Sequence, residues 1–205
     1  MAFFDSYTTL QSTVADYLAR SDLTSTIPEF IRLGEERLRR DLRIRQQLKV
    51  ATTTMTDATV EVPSDFIAMK DLHIQGNPVK PIQFLSASNF FRNALTSNVG
   101  VPQYYTLLGS EFQFAPAPDS SYTLQMVYYR KPDLLSDTNP SNLWLANTPD
   151  LLLYASLGEA EPYLMNDARL QVWASMYDRG VNSLTQSDDD SEYPAQPLSI
   201  TNSMR

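Results

Sequence analysis

Few side chains in this sequence have both the type and the company that chemistry requires. The lone histidine, His73, has no second imidazole anywhere in the chain, so histidine metal sites and acid/base relays lack a partner, and it reads as a structural or surface residue. Cysteine is absent, which removes thiolate nucleophiles, cysteine metal sites and disulfides. Ser156 lies in YASLGEA, which has none of the strand-to-turn context of a nucleophile elbow. Glu159 and Glu161 are two residues apart on an expected helix and do not face each other. The run Asp188-Asp189-Asp190 stands in a serine-rich tail with no scaffold to hold it around a cation, and reads as solvated charge. Gly76, Gly100 and Gly109 stand singly and build no phosphate loop. The expectation is a protein that is not an enzyme, with no catalytic, metal or cofactor-binding residues.

The chemistry that remains is charge recognition by arginine. Seven of the 16 basic residues fall between Arg32 and Lys49, while four acids lie from Glu29 to Asp41, so this stretch is basic inside a chain of net charge -8. Three readings of it compete. Glu-Arg pairs at four-residue spacing, such as Glu35 with Arg39 and Glu36 with Arg40, would make it a solvated helix face. Contact with DNA is the second, opposed by the acidity of the rest of the chain. A protein interface is favoured, because arginine suits intersubunit ion pairs and the remaining surface is acidic enough to complement it. The candidate interface residues are Arg32, Arg39, Arg40, Arg43 and Arg45.

The element that must position them is a helix. Ile27, Phe30, Ile31, Gly34, Leu38 and Leu42 recur at three- and four-residue steps and line one face, leaving Glu29, Arg32, Glu35, Glu36, Arg39, Arg40 and Arg43 to cover the rest. Thr26 with Glu29 spells a capping box, and Pro28 fits the first turn. Before it, Tyr7 to Ala19 reads as a helix capped by Asp5 or Ser6, with Leu10, Val14, Tyr17 and Leu18 inward. Residues 1-45 are thus an N-terminal helical hairpin.

Residues 46-130 form a mostly antiparallel β lobe of six or seven strands, with a short helix near 86-95. The apolar positions shift from Ile67 and Met69 to Leu72 and Ile74, which predicts a bulge near Lys70. In Tyr122 to Tyr129 the side chains Tyr122, Leu124, Met126 and Tyr128 alternate with Thr123, Gln125, Val127 and Tyr129. A connecting loop follows at 131-147. There Leu143 and Trp144 place apolar area among prolines and polar residues, to be covered by a partner or by the chain's own packing. Residues 148-186 read as a C-terminal helical hairpin, opened by Thr148-Pro149-Asp150 and again by Asn166-Asp167, with Leu170, Trp173, Tyr177, Val181 and Leu184 on one face. The fold class expected is α+β: a four-helix core from the two hairpins, with Leu38, Tyr154 and Trp173 buried in it, and an inserted β lobe. Residues 187-205 are expected as an extended C-terminal arm, its acidic start followed by Tyr193, Leu198, Ile200 and Met204 as docking residues.

With 205 residues, 42% of them hydrophobic, the chain can bury a substantial core. No apolar run approaches membrane-spanning length, and MAFFDSY has no basic flank ahead of a hydrophobic segment, so neither a membrane helix nor a signal peptide is expected. Eleven tyrosines and two tryptophans fit packed interfaces better than a reaction site.

Four blocks of this sequence resemble the head-tail adaptor (connector) proteins of tailed bacteriophages. They are IPEFIRLGEERLRRDLRIR at Ile27 to Arg45, VPSDFIAMKDLHIQG at Val62 to Gly76, the run from Pro102 to Asp137, and NTPDLLLYASLGEAEPYLMNDARLQVW from Asn147 to Trp173. The resemblance implies a virion protein at the head-tail junction, made in the host cytoplasm. It further implies a homo-oligomeric ring, dodecameric in relatives, bound to the portal above and to a tail or nozzle protein below. Genomic DNA would pass through the channel without sequence-specific binding, with no cofactor and no membrane contact. The rival is a non-catalytic protein-binding scaffold module outside a virion neck.

Overall fold

The computed structural model describes residues 4-94, 98-164 and 168-192. The chain divides into two compact units: residues 1-46 together with 132-205, and residues 47-131. The fold is mixed, helical in the first unit and built of antiparallel-rich sheets in the second.

In the helical unit, α1 spans Tyr7–Leu18 and starts on a reciprocal cap. The Thr9 N–H donates to the Ser6 hydroxyl, and the Ser6 N–H donates to the Thr9 hydroxyl. Tyr7, Leu10, Val14 and Leu18 are buried; Tyr17, expected inward, falls beside that stripe and is exposed. Helix α2, Ile27–Asp41, buries Ile27, Phe30, Ile31, Gly34 and Leu38 on the stripe read from the sequence. The capping box expected at Thr26 is not formed. A turn precedes the helix, and the Leu23 carbonyl already accepts the Thr26 and Ile27 N–H groups, which leaves Thr26 in helical conformation.

The loop residues Leu143 and Trp144 open a short helix, α4 (Leu143–Asn147), capped by the Asn142 side chain, which accepts the Leu145 N–H. Trp144 is 1% exposed in the core of its own unit, so the chain's own packing covers the apolar area for which a partner contact was the other reading. Helices α5 (Pro149–Gly158), α6 (Glu161–Leu164) and α7 (Arg169–Glu192) follow. The opening expected at Asn166-Asp167 lies outside the described residues.

Helix α2 crosses α5 at close range. A Cβ added at Gly34 would stand 2.9 Å from both the Ser156 backbone nitrogen and its hydroxyl, so glycine at this position lets the two backbones approach. Trp173 and Tyr177 of α7 close the same core, with Leu170, Val181 and Leu184 partly buried along that face. Leu38 and Trp173 are buried as expected, while Tyr154 is only partly so. Helix α7 continues through Ser187 to Glu192, where an extended arm was expected. No proline interrupts it before Pro194, and Asp188 is held by accepting the Arg45 N–H on both carboxylate oxygens, at 3.0 Å each. That bond also gives the start of the acidic run an anchor that the sequence did not reveal.

Among the described residues the β unit holds eight strands: β1 (Leu48–Met55), β2 (Thr59–Glu61), β3 (Phe66–Ile74), β4 (Lys80–Pro81), β5 (Gln83–Phe84), β6 (Tyr104–Leu108), β7 (Glu111–Ala115) and β8 (Tyr122–Arg130). They form two four-stranded sheets, ordered β1-β8-β3-β4 and β2-β7-β6-β5. All pairings are antiparallel except β5 with β6. On β8, Leu124, Met126 and Tyr128 are buried, as the alternation requires. The expected irregularity in β3 is present as register shifts between Phe66 and Ala68 and between Met69 and Asp71. The β6-β7 hairpin turns at Gly109, whose φ of 61° favours glycine. The short helix near 86-95 is α3 (Ala87–Asn89), continued by a wider turn through Ala94; Phe90 and Ala94 pack on Ala115.

Candidate subunit interface

The five candidate arginines, Arg32, Arg39, Arg40, Arg43 and Arg45, divide into two groups. Arg39 is half-buried and committed within the chain: it donates to Glu36 at 2.6 Å and to the Pro132 carbonyl at 3.2 Å. Arg43 folds back on the end of α2, donating to the Arg39 and Leu42 carbonyls at 2.6 Å, where a cation satisfies terminal acceptors. Arg32 and Arg40 are exposed and have no hydrogen bond or ion pair among the described residues. Arg45 uses its backbone N–H for Asp188, and its side chain is exposed. The outward cations are therefore Arg32, Arg40 and Arg45. Arg32 stands at the mouth of a cleft of about 330 Å³ lined also by Tyr7, Glu29 and Asp137.

Charge on the flank of α2 is fixed by aromatic contact. The Arg37 guanidinium lies 4.2 Å from the centre of the Tyr177 ring, and the Tyr177 hydroxyl donates to Asp41 at 2.7 Å. Burial, reinforced by that bond to Asp41, pushes the Tyr177 hydroxyl well above its usual range. These contacts from α7 tie down the flank of α2 at Arg37 and Asp41.

The residue that sequence reading missed is Glu35. Assigned to the solvated face, it is 1% exposed. Its carboxylate accepts the Leu135 N–H at 3.1 Å and the Asn142 side-chain amide, and Asn142 also donates to the Asp133 carbonyl. Glu35 thus pins the segment from Asp133 to α4 against α2. Burial pushes its carboxyl up to about 7, against the opposing pull of the two hydrogen bonds and of Arg39. A signal was available: Glu35 lies four residues after Ile31 and three before Leu38, on the margin of the apolar stripe.

The other chemical candidates are placed plainly. Ser156 is fully buried and donates to the Leu152 carbonyl one turn back in α5. His73 Nδ1 meets Asp71 at 2.6 Å. Among the described residues no three of the His, Asp and Glu side chains gather as metal ligands. No described helix is long and apolar enough to cross a membrane. Tyr193, Leu198, Ile200 and Met204 lie outside the described residues.

Helix α2 thus presents Arg32 and Arg40 outward while Glu35, Glu36, Arg37, Arg39 and Asp41 are engaged within the chain. A family model described as SU10 adaptor protein matches residues 5–200. The chain belongs to this family of phage head-tail adaptors. No curated protein matches it. As an SU10 adaptor protein it is a structural component of a phage virion, and its business is contact with other phage structural proteins.

Proposed function

We propose that this SU10 adaptor protein forms a closed ring that joins the portal to the tail at the head-tail junction and leaves a central channel for DNA. The observation that carries the reading is the family match, which spans residues 5–200 of the 205. The surface supports it. A ring needs two different complementary patches on each subunit, and exposed Arg32, Arg40 and Arg45 provide the cationic one on a protein of net charge -8. The acidic patch belongs to the adjacent subunit or to the portal. In the same reading α1, α2, α5 and α7 act as a four-helix core that keeps the cationic row rigid. An acidic channel wall lets DNA pass without adhering, because backbone affinity comes from concentrated positive charge. The dodecamer of relatives is the stoichiometry proposed, and the same ring delivers DNA on ejection.

The test is charge reversal at Arg32 and Arg40, which have no hydrogen bond or ion pair among the described residues. Arg32→Glu with Arg40→Glu is expected to abolish ring formation or portal docking, read by native mass and by co-sedimentation with portal, while far-UV circular dichroism stays that of the parent. Unimpaired assembly by that double variant would count against the interface.

A further inference from the structure

The β unit carries a largely apolar groove, with Lys70 and Asp71 also in its lining, that runs beside the edges of two strands. It has a volume of about 560 Å³ and runs between β3, through Phe66 and Met69, and the β5-β6 side of the other sheet, through Phe84, Tyr105 and Leu107. Pairing along both walls is short. β4 meets β3 only at His73 and Ile74, and β5 meets β6 only at Tyr104 and Tyr105. From Phe66 to Met69 the outer side of β3 has no strand neighbour among the described residues, and the same holds for β6 beyond Tyr105. Phe84 and Leu107 are 59% and 40% exposed at the rim. Open backbone edges beside an apolar floor are what strand addition uses: the backbone supplies hydrogen bonds and alternate side chains enter the groove.

The chain contains a segment of the matching pattern. Thirteen residues follow Glu192, and after Pro194 and Pro197 they read Leu198-Ser199-Ile200-Thr201-Asn202-Ser203-Met204. Leu198, Ile200 and Met204 share one side at even spacing, with Asn202 between them, while Ser199, Thr201 and Ser203 take the other. That is the sequence pattern of a strand with one apolar side, and it holds no acidic residue to repel an apolar floor. Pro197 precedes the alternation and so removes no ladder donor from it.

We propose that Leu198 to Met204 of one subunit adds as a strand along the edge of β3 in the next subunit, placing Leu198, Ile200 and Met204 in the groove. The proposal rests on the ring reading and names one of its joints: a donated strand that ties neighbours together, leaving the arginine face of α2 for charge pairing. It accounts for an apolar groove on a protein whose neighbours are copies of itself.

The absence of native cysteine makes a direct test simple. Full-length Ile200→Cys is mixed with full-length Leu107→Cys and gently oxidised, so that a disulfide between the two variants is intermolecular by construction. Val50→Cys, exposed on β1 away from the groove, replaces Leu107→Cys as control. The expected result is a cross-linked heterodimer with Leu107→Cys that is lost with Val50→Cys. In parallel, full-length Ile200→Asp should lose amide-exchange protection across β3 relative to the parent. Equal cross-linking to both positions, or unchanged protection of β3 in Ile200→Asp, would overturn the proposal. The native mass of the untreated parent is read in the same samples, so a ring without the cross-link refutes the strand alone, whereas a missing ring refutes the reading beneath it.

Discussion

Glu35 turns the packing of the helical unit into a pH-dependent quantity. Its carboxyl is held at about 7 in the fold, against an ordinary value near 4.5, and burial is the main cause. The native state therefore keeps this proton in a range where the unfolded chain has released it. Stability from Glu35 is fully present below about pH 4.5 and is lost as pH rises through 7, because the carboxylate must then be charged in a site 1% exposed. The interval corresponds to at most roughly 3 kcal/mol, already net of the two hydrogen bonds that offset part of the burial. Glu35→Gln keeps the shape and the acceptor oxygen while removing the charge. Urea unfolding of parent and variant from pH 5 to 8 is expected to show the variant gaining about 1 to 3 kcal/mol over the parent as the pH rises, with its own curve flatter. Parallel pH profiles for the two proteins would refute the assignment of that slope to Glu35.

The other expectations concern the packing around it. Gly34→Ala gains about 1 kcal/mol of helix propensity but drives a methyl into the Ser156 backbone, so a net loss of about 1 to 2 kcal/mol is expected in urea titrations. Gly158→Ala brings a methyl to 3.2 Å from the Arg37 guanidinium, which must shift by a few tenths of an ångström on the Tyr177 ring, so the gain in helix propensity is largely offset and a change within about 1 kcal/mol is expected in the same assay. Leu38→Ala removes a fully buried side chain and should cost about 2 to 5 kcal/mol. Trp144→Ala should lose about 3 to 5 kcal/mol even in dilute monomer, which a thermal melt at low concentration reads directly; a loss seen only in the assembled form would restore a partner contact for that residue.

The periodic parts of this fold are legible in the sequence because burial follows a period. The stripe from Ile27 to Leu42, the alternation on β8 and the Trp173-Tyr177 face each place one side against a core, and the irregularity near Lys70 appears as a break in that alternation. What stayed hidden depends on contacts between residues far apart in sequence. Glu35 looks solvent-facing until Leu135 and Asn142, about a hundred residues later, arrive to satisfy it. Trp144 looks exposed in a proline-bounded loop until α4 turns it inward. Arg39 and Arg43 look like surface charge, yet Arg39 also bonds the distant Pro132 carbonyl and Arg43 caps the Arg39 and Leu42 carbonyls, partners that no charge count reveals. Helix α7 outran its expected end because serine and aspartate disfavour a helix only weakly, and the Asp188 bond to the Arg45 backbone holds it.

The central claim is that this SU10 adaptor protein closes into a ring between portal and tail. Cryo-electron microscopy of the purified neck, with subunits fitted individually, tests it most directly. The expected map shows a closed ring of this chain beneath the portal, the α2 face bearing Arg32 and Arg40 set against acidic side chains of a neighbouring subunit or of the portal. A neck whose density has no such ring, or a ring in which that face of α2 points only into solvent, would contradict the account.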